Sequence, residues 1–214
     1  MGGYRGRSIT VHNWAPPLPA AEPAAVEALR REAGADAATT LAGYVGRLHE
    51  VKGVDLLIAV FRGLPHAGAR LAIVGDGPAR PELEAQAAGD PRIVFLGHRP
   101  NPAAAYAALD LLVMPSRFDP FPLVALEAMA AGTPMLAAAV GGLAEMFASA
   151  PERLFAPEDI GALSERLAAA LGRPGRAPRV TYDLSRFEPA QAAARIEGFY
   201  REVMADARQG RAAS

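Results

Sequence analysis

Five short apolar runs, none alternating with polar residues, constrain this chain more than any other feature of it. They cover residues 42–45 (AGYV), 71–74 (LAIV), 93–96 (IVFL), 111–114 (LLVM) and 135–137 (MLA). A strand with no polar side is covered on both faces, the condition of a parallel sheet rather than of a half-exposed antiparallel one. Helical patterns fill the intervals. Residues 54–61 carry apolar side chains at helical spacing, 81–88 are rich in Ala and Glu, and 121–131 run to a stop at Gly132 and Pro134. Two amphipathic stretches, 158–171 and 188–204, close the chain. This alternation, with turn residues at each junction, predicts an α/β chain: a single doubly wound parallel-sheet, Rossmann-like domain. The glycine- and proline-rich stretch 172–179 (GRPGRAPR) reads as a loop before the last helix, not as a linker. No solenoid repeat is present.

Composition sets the outer bounds. The chain has 214 residues, 51% of them hydrophobic, enough to bury one large core. Its 22 basic and 23 acidic residues leave a net charge of −1, which argues against a nucleic-acid binder held by counterion release. The absence of cysteine excludes disulfides, thiolate zinc sites and a cysteine nucleophile, and fits a reducing compartment. The basic start Met1–Arg7 is not followed by the apolar run of a signal peptide. The longest uncharged apolar stretch, 128–144, is broken by Gly132, Pro134, Gly141 and Gly142 and is shorter than the ~20 residues a spanning helix needs. A soluble protein with no transmembrane segment is expected.

In doubly wound sheets ligands bind beyond the carboxyl ends of the strands, and three such junctions carry unusual residues. At 46–53 (GRLHEVKG), Arg47 and Lys52 flank a loop at a helix start, where the macrodipole disfavours cations. Either an anion lies between them, met by the Arg47 fork and the Lys52 point charge, or they are solvated charges paired with Glu50 or Asp55. Lys52 is the only lysine among the 22 basic residues. That reflects either a position unsuited to a guanidinium or a general bias toward arginine. At 74–80 (VGDGPAR), Arg80 stands where a dinucleotide fingerprint needs a third glycine, and no acid follows the next strand. This is a tight turn into a helix, and it counts against a nicotinamide dehydrogenase.

The third junction, 114–134, is the richest. Asp119 lies in its loop and Glu127 in the following helix, with the free N–H groups of the helix start, around Leu123 and Val124, between them. A ligand with hydroxyls at both ends and a phosphate in the middle suits this layout. Alternatively Asp119 caps the helix and Glu127 is a surface residue. The other helix residues are so apolar that a glutamate among them needs a partner.

Residues 42–147 resemble the donor-binding C-terminal half of the retaining glycosyltransferases of family 4, which have the GT-B fold. The resemblance is carried by YVGRLHEVKGVDLLI, LAIVGDGPARPELE, IVFLGHRP, AALDLLVMPSRFDPFPLVALEAMAAGTPMLA and VGGLAEM. It implies that Arg47 and Lys52 bind the donor diphosphate, and that the acids of a Glu-x7-Glu motif fall on Asp119, for the donor sugar, and Glu127, for the ribose. Asp119 departs from the family's Glu by one methylene. Pro120-Phe121-Pro122 replaces the usual Gly-Phe-Gly, so phosphate-facing N–H groups must come from Phe121, Leu123 and Val124, since Pro122 has none. Gly46, Gly75, Gly97 and His98 complete the implied donor-binding set, and Asp119, Glu127, Arg47 and Lys52 the catalytic one. None of His12, His49, His66 and His98 stands in a motif that makes it a general base.

The resemblance also divides the chain. Residues 1–40 form a lead-in segment, with His12-Asn13-Trp14, and the first helix; 41–185 form the nucleotide-sugar-binding core; 186–214 form a helix that braces an N-terminal acceptor-binding domain lying in missing residues or in another chain. It implies a UDP-, GDP- or ADP-sugar donor, no metal and no further cofactor, and a glycan or lipid-linked acceptor. A cytoplasmic place follows, including the inner face of the membrane. The implied chemistry is front-face transfer of a hexose-type sugar, with the leaving diphosphate helping to deprotonate the incoming hydroxyl. A sugar-nucleotide-binding module without transferase activity is the alternative. A sugar-nucleotide epimerase is disfavoured by the lack of an acid/base pair.

Overall fold

All five apolar runs are strands: β1 (Thr40–Val45), β2 (Ala69–Val74), β3 (Ile93–Gly97), β4 (Leu111–Met114) and β5 (Met135–Ala138). The computed structural model describes residues 7–15, 17–172 and 175–212, so the first six residues of the basic start, Pro16, and Arg173 and Pro174 of the loop before the last helix lie outside the described residues. A sixth strand, β6 (Leu154–Phe155), is too short to have left a pattern. The sheet order is β3-β2-β1-β4-β5-β6, and every neighbouring pair is parallel. Strands β1, β4 and β5 are buried at every residue, which is why they show no polar alternation. The chain runs outward from β1 to β3, then returns to add β4 on the other side of β1. The order reverses between β1 and β4, where the two strands pair Ala42 with Leu111, and such a switch point opens a crevice at the strands' carboxyl ends.

Among the described residues there are eight α-helices: α1 (Pro23–Glu32), α2 (Val54–Gly63), α3 (Arg80–Ala87), α4 (Ala103–Ala108), α5 (Leu123–Ala130), α6 (Gly141–Met146), α7 (Ile160–Leu171) and α8 (Pro189–Ala212). The sequence pattern did not mark α4 or α6; the first is almost all alanine and the second opens on two glycines. On one face Leu57, Phe61, Leu83, Leu163 and Leu167, from α2, α3 and α7, form a core with the strands. On the other, Leu29, Tyr106, Leu126, Met129, Leu143 and Phe147, from α1, α4, α5, α6 and the turn after it, do the same. Each large apolar side chain so buried contributes about 1.5–3 kcal/mol.

The amino ends of the strands are closed by polar contacts. Arg30 is 2% exposed; it lies 3.0 Å from Asp110 Oδ2 and donates to the carbonyls of Asp36, Thr39 and Ala108. The segment after α7 is a strap across this end rather than a slack loop. Val180 N–H donates to Gly132 O, Tyr182 Oη to Thr133 O, and Ala177 N–H to Asp110. Helix α8 then leaves the sheet, exposing Ile196, Tyr200, Val203 and Met204, while Phe199 is half-buried beneath the Arg7 guanidinium.

Candidate functional site

A cleft of about 330 Å3 lies at the switch point, at the carboxyl ends of β1 and β2. Gly46, Arg47 and Gly75 form one wall, His98 and Arg99 a second, and Val124 with Glu127 of α5 a third. A larger groove, about 450 Å3, runs between the lead-in segment and α8, but it holds none of Asp119, Glu127 and Arg47. Of the residues singled out in the sequence, Gly46, Arg47, Gly75, His98, Val124 and Glu127 line the switch-point cleft.

The loops around it meet backbone against backbone. Gly75 has φ 140°, and a methyl group added there would stand 1.8 Å from the carbonyl oxygen of Gly46. Gly53, at φ 65°, would carry such a group 2.1 Å from Pro115 O. Only glycine fits at either contact. Arg47 sits in the loop these contacts fix. Tyr44 Oη donates to its carbonyl at 2.8 Å, and burial raises the Tyr44 pKa above the ordinary range, keeping the phenol a donor. The Arg47 side chain is exposed, and among the described residues it has no ion-pair or hydrogen-bond partner. It is a free guanidinium on the cleft wall.

Lys52 behaves differently. A single 3-10 turn, Glu50–Lys52, precedes α2, and Lys52 Nζ reaches across to Asp119 Oδ2 at 2.7 Å. Its partner is therefore neither Glu50 nor Asp55. Arg117 takes Asp55 instead, through both terminal nitrogens at 2.8 and 2.7 Å, and donates to the Glu50 carbonyl as well. These contacts hold the Asp55 carboxyl below its usual value, the Arg117 hydrogen bond being the largest cause. Arg117 thereby clamps the Lys52 loop to the loop after β4. Asp119 is buried and does not cap α5, whose N-cap position is Pro122.

Glu127 lies in the second turn of α5, and Ala125, Leu126, Ala128 and Met129 beside it are buried. The partner such a position requires is Tyr106 of α4, whose Oη donates to Glu127 Oε2 at 2.6 Å. Between the two acids, α5 begins at Leu123, so the N–H groups of Leu123 and Val124 have no acceptor within the helix. Phe121, just before the helix, holds the lead-in segment. Its ring stacks on His12 at 4.7 Å and meets Phe187 edge-on, and its carbonyl accepts from Asn13 Nδ2 at 2.9 Å. His12 also pairs with Glu145 of α6 at 2.8 Å. The lead-in segment is thus pinned to the loop that carries Asp119.

The structure brings Gly46, Arg47, Gly75, His98, Val124 and Glu127 to one cleft; Lys52 and Asp119 pair with each other and do not line it. Gly97, Phe121 and Leu123 do not line it: Gly97 accepts from Gly75 N–H at the end of β3, and Leu123 is exposed at the helix start. Sequence reasoning missed Tyr44, Tyr106 and Arg117. Only Tyr106 left a trace, as the partner that an acid in an apolar helix demands. Among the described residues no group of three or more His, Asp or Glu side chains is placed to hold a metal ion, and no helix is long and apolar enough to cross a membrane.

With this geometry in view, the likeness to known proteins is specific. The family described as "Glycosyl transferases group 1" matches residues 39–173. A 2-deoxystreptamine N-acetyl-D-glucosaminyltransferase of Streptomyces fradiae is 39% identical over 156 residues, 68% of this chain and 37% of that protein. WaaG, a glycosyltransferase involved in lipopolysaccharide biosynthesis, superposes with a TM-score of 0.66 at 27% identity, over 86% of this chain and 49% of WaaG. HepE of Anabaena, solved in complex with UDP and glucose, shares the fold with a TM-score of 0.67 at 24% identity, over 85% of this chain and 53% of HepE. The chain thus spans about half the length of these solved relatives and less of the curated one.

Proposed function

The chain belongs to the glycosyl transferases group 1 family, and from that premise we propose that it is the donor-binding half of a retaining glycosyltransferase. The observation that carries this reading is one cleft lined by a free guanidinium, the start of α5 at Val124 and a held glutamate. A nucleoside diphosphate sugar has hydroxyls at both ends and its charge in the middle, which such a set of groups suits. Arg47, the helix start at Leu123 and Val124, and Lys52 take the diphosphate. Glu127 accepts from the ribose hydroxyls, and Asp119 lies toward the donor sugar. Gly46 and Gly75 let backbone approach the ligand, and His98 walls the nucleoside end. As the anomeric bond breaks, negative charge builds on the leaving phosphate. Arg47, Lys52 and the α5 dipole stabilise it there, a preorganised electrostatic contribution. The phosphate oxygen so exposed takes the proton of the incoming acceptor hydroxyl on the same face.

The donor is a UDP-, GDP- or ADP-hexose and the acceptor a glycan or lipid-linked saccharide, met in the cytoplasm or at the inner face of the membrane. An acceptor-binding half completes the cleft, and helix α8 braces it. A second reading, a sugar-nucleotide-binding module without transfer, is favoured by one observation. The Asp119 carboxylate, shorter than the family's glutamate, is committed to Lys52 and only 6% exposed.

Calorimetry of UDP, GDP and ADP with wild type and Arg47→Ala tests the site. Because Arg47 has no partner within the described residues, its removal leaves the fold intact and reports on the ligand alone. Losing a charge-assisted contact weakens binding by about 1.5–3 kcal/mol. Equal affinity in the two proteins would sink the assignment.

A further inference from the structure

We propose that Tyr106 is a positioning residue: its buried phenol holds one oxygen of Glu127 so that the other faces the ribose of the donor. This rests on the reading of Glu127 as the ribose acid and deepens it. Tyr106 is 0% exposed and its Oη lies 2.6 Å from Glu127 Oε2. The residue is anchored at its other end too. Its carbonyl accepts from Thr133 Oγ1 at 2.8 Å and from Arg179 Nη1 at 3.2 Å, which ties α4 to the turn after α5 and to the strap. A tyrosine buried this completely, on a helix tied down at its backbone, has little rotamer freedom to lose on holding the carboxylate. Burial, the hydrogen bond to Glu127 and the nearby carboxylate charge raise its pKa far above the ordinary value, so the phenol stays a donor throughout the working pH range.

The chemistry of a carboxylate completes the argument. A free glutamate on α5 would turn both oxygens toward water and sample several rotamers. With Oε2 engaged by the Tyr106 phenol, Oε1 is the oxygen left to accept from a ligand in the cleft that Tyr106 and Glu127 both line. A vicinal diol can donate twice to such an edge. A second-turn acid with no such support would have to be ordered by the ligand itself, at the expense of affinity.

The test measures the affinity of the full chain for whichever of UDP, GDP and ADP binds best, and for its 2′,3′-dideoxy counterpart. Wild type prefers the ribonucleotide, and the ratio of the two affinities is the readout. Tyr106→Phe keeps the ring and its packing, and should reduce that ratio roughly tenfold, as Glu127→Gln also does. If Glu127→Gln loses the preference and Tyr106→Phe keeps it, the positioning role is wrong while the ribose reading stands. If wild type shows no preference, or Glu127→Gln retains it, the ribose reading fails and takes the inference with it. Should Tyr106→Phe not fold, proton NMR of wild type decides. A slowly exchanging Tyr106 hydroxyl resonance that shifts on adding the ribonucleotide but not the dideoxynucleotide supports the role, and one indifferent to both overturns it.

Discussion

Neutralising Lys52 should destabilise the fold more than neutralising its partner. The Lys52 Nζ to Asp119 Oδ2 distance is 2.7 Å, and the two side chains are 25% and 6% exposed. Lys52→Met keeps the aliphatic stem but leaves the carboxylate almost sealed from water with no cation beside it. Breaking a buried pair from one side costs about 3–5 kcal/mol. Since the lysine end is a quarter exposed, water admitted there relieves part of this, and a loss of about 3 kcal/mol is expected. Asp119→Asn leaves an ammonium on a flexible stem that can turn to solvent, so only about 1 kcal/mol should go, the worth of one hydrogen bond. The double variant contains no stranded charge and should recover about 1–2 kcal/mol relative to the sum of the singles. In a chain of this size 1 kcal/mol moves Tm by about 2–4 °C, so Lys52→Met should melt roughly 6–12 °C below wild type and Asp119→Asn roughly 2–4 °C below. Circular dichroism melts of the four proteins at pH 7, without nucleotide, are the assay. An Asp119→Asn protein as unstable as Lys52→Met, or losses that simply add in the double variant, would refute the argument that burial of the carboxylate sets the asymmetry.

Three further outcomes are expected. Glu127→Gln should weaken binding of the bare nucleoside diphosphate, whereas Asp119→Asn should mainly reduce the discrimination between nucleotide sugar and diphosphate; equal effects on the diphosphate, measured by calorimetry, would remove the separate roles. The 214-residue chain alone should hydrolyse donor slowly at most and transfer no sugar, because half a cleft cannot supply the roughly 7–11 kcal/mol that alignment of two substrates contributes; turnover of ~1 s⁻¹ or more on an acceptor would contradict this. Asp55, whose pKa Arg117 depresses, contributes stability that is present above the unfolded carboxylate value of about 4 and lost as pH falls through the lower folded value. Chemical denaturation should therefore find wild type losing more stability than Asp55→Asn as pH drops below about 4, and parallel losses would contradict the pairing.

The strands were legible because a parallel sheet buries both faces of each one, leaving unbroken apolar runs with turn residues between them. Helix α4 escaped notice because AAAYAA has no polar face from which to read a period, and β6 because two residues carry no pattern. At the site, the residue types were legible and their partnerships were not. The lone lysine marked the loop, but its counterion lies 67 positions away, past nearer acids that looked equally suitable. Glu127 announced a need for a partner, and α4, 21 residues upstream, supplies it through a fold-level contact that no local pattern encodes. Phe121 was legible only for its backbone N–H; that its ring stacks on His12 of the lead-in segment is likewise a contact of the fold, which no local pattern encodes.

The glycine contacts at Gly53 and Gly75 bear on how this protein could acquire a new preference. Where carbonyl oxygens would stand 1.8 and 2.1 Å from an added methyl group, neighbouring loops share a seam with no side chain between them to trim or enlarge. Lengthening one loop by a residue would part it from the next, and the whole rim would open together. The accessible variation therefore lies in the side chains that project from a fixed rim, such as Asp76, Arg99 and Val124. A library meant to retune the cleft should hold the glycines constant and diversify those positions, since the seams make ligand preference a matter of surface chemistry on an unchanging backbone.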